Sequence, residues 1–103
     1  MSRFVKAASL SDVPPGSAKS VEIQGKEIAL FNVDGTLFAL DNLCPHAGGP
    51  LAEGTVEGKQ VECPWHGAQF DLKRGASSSP LAPEGVQAYP VRVSGADIEI
   101  ELE

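Results

Sequence analysis

"EIALFNVDGTLFALDN", residues 27–42, decides the architecture. Two apolar runs, 27–33 and 36–42, flank Asp34-Gly35. An Asp-Gly between such runs is a strong local signal for a tight β-hairpin. Upstream, "RFVKAA" (3–8) and "SVEIQ" (20–24) carry strand-forming residues, with a second turn signal at Gly25-Lys26. Downstream, "AYPVRV" (88–93) and "DIEIELE" (97–103) bracket "SGA" (94–96). In the last run Ile98, Ile100 and Leu102 alternate with Glu99, Glu101 and Glu103, the pattern of a strand with one buried face. No window shows a 3.6-residue period. One short helical turn is expected within "SLSDVPPGSAKS" (9–20), capped by Ser9 or Ser11 and stopped by Pro14-Pro15. The expected fold class is all-β, a small antiparallel β-sandwich or barrel.

With 103 residues, the chain is expected to form one domain, 1–103, around a single modest core. Fourteen acidic side chains against eight basic leave a net charge of −6. That balance disfavours phosphate-rich partners, and no Lys/Arg cluster exists to track a nucleic acid, so no nucleic-acid partner is expected. An acidic surface suits attraction to a basic patch on another protein. "MSRFVKAASL" lacks the apolar run of a signal peptide, and no stretch is long enough to span a bilayer, so neither a membrane partner nor a secreted location is expected. The expected location is cytoplasmic. Cysteines there stay reduced, which ranks a metal or catalytic role above a disulfide.

Residues 43–83 differ from the rest. They are rich in Pro and Gly, with only brief strand candidates at "QVEC" (60–63) and "QFDL" (69–72), and read as a loop-built site inserted in a β framework. This stretch holds both cysteines and both histidines of the chain, as Cys44-x-His46 and Cys63-x-x-His66 with sixteen residues between the pairs. Any one of the four alone would be unremarkable as a small buried residue or a solvated imidazole. Their repetition as two Cys-Pro-…-His groups is not. Three chemistries compete on the residues themselves. Cys–His nucleophilic catalysis uses one thiol and one base, which leaves half the set unexplained. A Cys₂His₂ zinc site has the right ligand count, but its usual spacing keeps the cysteines together and the histidines together. An iron–sulfur cluster with mixed ligands has two metals to hold, and two loops each supplying one Cys and one His can hold both.

The arrangement C-P-H, sixteen residues, C-P-W-H-G resembles the Rieske signature. "DGTLFALDNLCPHAGGPL", "CPWHGAQFDLKRG" and "PEGVQAYPVRV" extend the likeness to Rieske-type ferredoxins over most of the chain from about Gly35 onward. The resemblance implies one [2Fe–2S] cluster with Cys44 and Cys63 as thiolate ligands of one iron and His46 and His66 as imidazole ligands of the other. Two ferric ions, two sulfides, two thiolates and two neutral imidazoles sum to zero charge, so such a cluster accepts an electron more readily than an all-Cys one. Gly48, Gly49 and Gly67 would let backbone N–H groups approach the sulfurs, and Pro45, Pro50 and Pro64 would stiffen the loops.

High-potential Rieske proteins carry an extra cysteine in each loop. The matching positions here are Gly49 and Trp65, and with both cysteines of the chain taken as ligands that brace cannot form. Those relatives also have a Ser and a Tyr whose hydroxyls bond cluster sulfurs, where this chain has Ala68 and Phe70. A low-potential centre is expected. The resemblance then implies an electron carrier rather than an enzyme: the ferredoxin component of an aromatic-ring dioxygenase system. It would take electrons from an NAD(P)H-dependent flavoprotein reductase, pass them to a terminal Rieske oxygenase, and act as a monomer. No histidine remains for a mononuclear iron site, and no nucleotide-binding glycine motif lies between a strand and a helix. Two alternatives stand: the small subunit of an NADH-dependent nitrite reductase, and a zinc-stabilised binding module. Pro45, Ala47, Pro50, Leu51, Pro64 and Trp65 are the expected apolar rim for docking, with Glu53, Glu57 and Asp71 steering partners. Pro80 and Pro83 are candidates to cover the site from a third loop.

Overall fold

Residues 28–32 are all buried, and the layering of the protein follows from that run. The computed structural model describes residues 3–43, 50–65, 67, 69–76 and 85–102. In chain order the strands are β1 (Arg3–Ser9), β2 (Ala18–Ile23), β3 (Lys26–Val33), β4 (Thr36–Asp41), β5 (Thr55–Glu57), β6 (Gln60–Glu62), β7 (Gln69–Asp71), β8 (Ala88–Tyr89), β9 (Val91–Ser94) and β10 (Asp97–Leu102). Single 3₁₀ turns occupy Leu10–Asp12 and Leu51–Glu53. All named pairings are antiparallel, and they form three sheets ordered β1-β10-β9, β2-β3-β4-β8 and β5-β6-β7. The all-β antiparallel expectation holds. Among the described residues no helix is long and apolar enough to cross a membrane.

The four-stranded sheet has a core on each face. Ile28 and Leu30 of β3 and Ala39 of β4 join Tyr89, Ile98, Ile100 and Leu102 in one buried cluster. Ala29, Phe31 and Leu40 join Leu51, Val61, Cys63, Phe70 and Leu72 in the other. Successive side chains of a strand point to opposite faces, so a strand covered on both sides reads as a continuous apolar run rather than an alternation. "IALF" is such a run. β10, by contrast, buries Ile98, Ile100 and Leu102 between half-exposed acids, as its alternation predicts. Truncating Phe31, fully buried between β3 and the small β5-β6-β7 sheet, would cost about 3–5 kcal/mol.

The β2–β3 and β3–β4 hairpins each close through two residues with positive φ, the requirement of a type I′ turn. Asp34 and Gly35 (φ 53° and 93°) sit between the paired Val33 and Thr36. The other turn lies at Gln24-Gly25 (φ 53° and 81°), one residue before the expected Gly25-Lys26, because Lys26 already pairs with Ile23 as the first residue of β3. The expected helical turn is the 3₁₀ turn Leu10–Asp12; the N–H of Ser9 donates to Asp12 Oδ2 at 3.2 Å, and fully buried Val13 ends it. Strand β5 has no counterpart in the sequence reading. Its three residues are exposed and too few to reveal a period.

Candidate metal centre

Strand β4 ends at Asp41, and the next residue, Asn42, is buried (4% exposed). Its backbone N–H donates to the Glu27 carbonyl at 2.9 Å, its carbonyl accepts from the Leu51 N–H at 2.6 Å, and its Oδ1 accepts from the Ala52 N–H at 2.9 Å. Leu43 then bridges Pro50. The chain therefore leaves the sheet and returns to it at one place, with residues 44–49 as the interval between. Cys44, His46 and their neighbours Pro45, Ala47, Gly48 and Gly49 lie outside the described residues.

The second interval is framed in the same way. Glu62 pairs with Gln69 across β6 and β7, and Cys63 follows directly. Cys63 is buried, 1% exposed, in the cluster with Leu51, Phe70 and Leu72. The Gly67 N–H donates to the Cys63 carbonyl at 3.0 Å, closing a turn in which Gly67 takes φ 73°, a conformation that favours glycine. His66 and Ala68 lie outside the described residues. The two intervals meet through backbone: a Cβ on Gly54 would overlap the carbonyl oxygen of Glu62, and Thr55 pairs with Glu62. The residue before Cys63 thus packs against the turn that follows the first interval.

A third frame was not legible in the sequence. Val86 N–H donates to the Gly75 carbonyl at 2.8 Å, and a Cβ on either Gly75 or Gly85 would run into backbone of the other segment. The sequence reading placed Pro80 and Pro83 on a third loop but did not give the approach of Gly75 to Gly85 and Val86 that frames it. Residues 77–84, with Pro80 and Pro83, are outside the described residues.

Two expectations need correction. Leu51 is not on the rim: it is fully buried against the cluster that holds Cys63, because the 3₁₀ turn Leu51–Glu53 folds it inward. The exposed apolar residue on that side is Leu43, at 46%. Asp71 is only half-exposed, and its Oδ1 accepts from the N–H groups of Lys73 (2.7 Å) and Arg74 (3.2 Å), so its carboxylate is engaged in its own turn. Trp65 is exposed at 61%, Pro64, Glu53 and Glu57 are exposed, and Pro50 is half-buried. Phe70 is fully buried in the same cluster as Cys63.

Beside Leu43, an open concavity of about 390 Å³ is lined by Lys26, Glu27, Asp41, Gln87 and Tyr89. The Tyr89 hydroxyl donates to Asp41 Oδ1 at 2.6 Å, and Lys26 Nζ lies 5.9 Å from the ring centroid. Burial first, then the hydrogen bond to Asp41 and the charge of that carboxylate, push the Tyr89 phenol well above its ordinary value.

The donor chemistry at Cys63 fits an iron–sulfur centre. A thiolate buried among Leu, Val and Phe side chains is costly unless a cation neutralises it, and sulfur is the soft donor such clusters use. The next two residues, Pro64 and Trp65, reach solvent, so the site spans core and surface within a single turn.

Comparison with known proteins agrees. The family model described as the Rieske [2Fe-2S] domain matches residues 3–90. The chain is 34% identical to the ferredoxin component of the naphthalene 1,2-dioxygenase system of Pseudomonas aeruginosa, over 97% of this chain and 96% of that protein. It is 38% identical to the biphenyl dioxygenase ferredoxin subunit of Pseudomonas sp. strain KKS102, over 96% and 92%. Among solved structures, the ferredoxin of carbazole 1,9a-dioxygenase from Nocardioides aromaticivorans IC177 superposes with a TM-score of 0.88 at 30% identity, covering 94% of this chain and 95% of that one. Another, at 28% identity, TM-score 0.85 and coverage of 94% and 91%, is a complex of reduced oxygenase with oxidized ferredoxin in carbazole 1,9a-dioxygenase. A structure described as the small subunit of an NADH-dependent nitrite reductase from Mycobacterium tuberculosis has a TM-score of 0.89 at 24% identity, covering all of this chain and 97% of that one, a likeness of fold alone.

Proposed function

Because the chain belongs to the Rieske [2Fe-2S] domain family, we propose that it is the ferredoxin component of an aromatic-ring dioxygenase system, an electron carrier and not itself an enzyme. It carries one Rieske-type [2Fe–2S] cluster, which supplies one-electron redox chemistry when bound. The reading rests on the position of Cys63: a core-anchored sulfur donor, followed directly by the exposed Pro64 and Trp65. An electron carrier needs this combination, a redox group held rigidly yet within reach of the surface.

In this reading Cys44 and Cys63 hold one iron through sulfur, and His46 and His66 hold the other through their rings. The chain is one domain, 1–103, with the cluster-binding part at about 43–83. Its own residues do three things. The frames at Leu43–Pro50 and Glu62–Gln69 hold the ligand-bearing intervals in register. The cluster of Leu51, Val61, Phe70 and Leu72 keeps water from the Cys63 side. Leu43, Pro64 and Trp65 offer a small apolar surface to partners, with Glu53 and Glu57 as steering acids, suited to the brief encounters of redox proteins. The partners are a flavoprotein reductase that reduces the chain and a terminal Rieske oxygenase that it reduces in turn. The protein works as a cytoplasmic monomer. The nitrite reductase reading is weaker, since that likeness carries only the shared fold. The zinc-module alternative gives way to the family match.

The test is chemical analysis of the purified protein with EPR after dithionite reduction, followed by reconstitution with a reductase and an oxygenase of the naphthalene or biphenyl type. About two irons and two labile sulfides per chain, and reductant-dependent turnover of the oxygenase, are expected. Stoichiometric zinc without sulfide would end the electron-carrier reading.

A further inference from the structure

The two buried polar side chains among the described residues are Asn32 (5% exposed), near the turn end of the β3–β4 hairpin, and Asn42 (4% exposed), just past the end of β4. An interior amide is tolerated only where it is hydrogen-bonded, and such a side chain is held in one place by its partners. Asn32 secures the framework: its Nδ2 donates to the Val13 carbonyl at 2.7 Å and its Oδ1 accepts from Gly35 at 2.8 Å. Asn42 does a different job. It links three points, the Glu27 carbonyl on β3 and the N–H groups of Leu51 and Ala52, which lie beyond the far end of the 44–49 interval. Cys44 is two residues along the chain.

We propose that Asn42 is the positioning residue of the first ligand-bearing interval: from inside the fold it fixes both the departure of the chain toward Cys44 and His46 and its return at Leu51 and Ala52. The inference rests on the assignment of Cys44 and His46 as cluster ligands. It follows from an asymmetry between the two intervals. Among the described residues, the second is held by the β6–β7 ladder and by the Gly67 N–H to Cys63 carbonyl bond. The first is closed by an isolated bridge, Leu43 to Pro50, with the backbone bond from the Leu51 N–H to the Asn42 carbonyl, and the next residue of its return, Ala52, is held by a side-chain oxygen. The same oxygen anchors the 3₁₀ turn that drives Leu51 into the cluster around Cys63, so Asn42 couples the two intervals as well. Losing it leaves the Ala52 N–H without its acceptor and frees the return of the chain, and ligand geometry at the first interval loosens while the second stays in place.

Asn32 provides a matched control, a buried asparagine that ties distant backbone together at the opposite end of the hairpin. The experiment compares holo-protein of the wild type, Asn42→Ala, Asn42→Asp and Asn32→Ala by EPR of the reduced state, redox titration, loss of iron to a chelator and thermal melting. Asn42→Ala is expected to broaden and move the g-values, displace the potential and release iron several-fold faster. Asn32→Ala is expected to melt at lower temperature with wild-type g-values and potential. Asn42→Asp keeps an oxygen for the Ala52 N–H and is expected to return the g-values toward wild type; it also carries the comparison if the alanine variant does not fold. Wild-type g-values and potential in Asn42→Ala, or equal displacement of both in Asn32→Ala, would overturn the proposal. A wild type without iron and sulfide would remove the ligand assignment itself, a result read before any variant is made.

Discussion

Gly54 lies so close to the carbonyl oxygen of Glu62 that no side chain fits between them. Glu62 immediately precedes Cys63, and Gly54 immediately follows the turn Leu51–Glu53, so this approach joins the segment that follows 44–49 to the one that leads into Cys63. Gly54→Ala must push the two segments apart. The expected result is a loss of about 1–3 kcal/mol in stability, the usual cost of overpacking, together with lower iron content. Thermal melting and iron per chain are the readouts. A fully loaded variant with an unchanged melting temperature would show that the approach does not set the site.

The reduction potential is expected near the lower end of the Rieske range, about −150 mV. Phe70, fully buried beside Cys63, carries no hydroxyl to donate to sulfur, and neither does Ala68. Fewer donors leave the extra negative charge of the reduced state less stabilised. A redox titration giving a strongly positive potential would contradict this.

Trp65, exposed at 61%, contributes little to the core. Trp65→Ala is expected to change stability by no more than about 0.5 kcal/mol while lowering the efficiency of electron transfer about tenfold, since exposed aromatics often dominate interfaces. Stopped-flow reduction of a purified terminal oxygenase measures it. Unchanged transfer to both the oxygenase and the reductase would exclude Trp65 from docking.

The Tyr89–Asp41 pair predicts alkaline behaviour. The folded chain keeps the Tyr89 proton well above 10.0, the ordinary value, because burial and Asp41 both oppose the phenolate. The stabilisation is therefore fully present below pH 10.0 and is lost as pH rises from there toward the raised folded value, since only the unfolded chain gains by ionising in that window. Tyr89→Phe is expected to cost about 0.5–1.5 kcal/mol near neutrality and to fall off less steeply than wild type above that pH. Urea midpoints across the window report it, and parallel curves for the two proteins would refute the assignment.

The strands around Asp34-Gly35 and the alternation from Ile98 to Leu102 were legible because both signals are local: a backbone that needs positive φ, and a period of two. The Rieske family was legible for a similar reason, since the Cys-Pro-…-His spacing is a local pattern of the sequence. Leu51 was misread because a Leu next to Pro in a loop looks the same whether it turns outward or inward. Its backbone N–H donates to the carbonyl of Asn42, nine residues earlier, a contact no local pattern announces. Strand β5 was missed because three exposed residues carry no period and exist as a strand only by pairing with β6.

By itself the sequence determined the strand class, the two tight hairpins and the kind of centre the chain can hold, all properties of neighbouring residues and of side-chain chemistry. Only the tertiary structure decided that the β3 run is covered on both faces, that Leu51 and Phe70 pack in one cluster with Cys63, that Gly54 lies against Glu62, and that Asn42 holds the Ala52 N–H. Those features arise where segments far apart in the chain compete for the same space and the same hydrogen-bonding groups, and neither the space nor the partners are visible until the chain has folded.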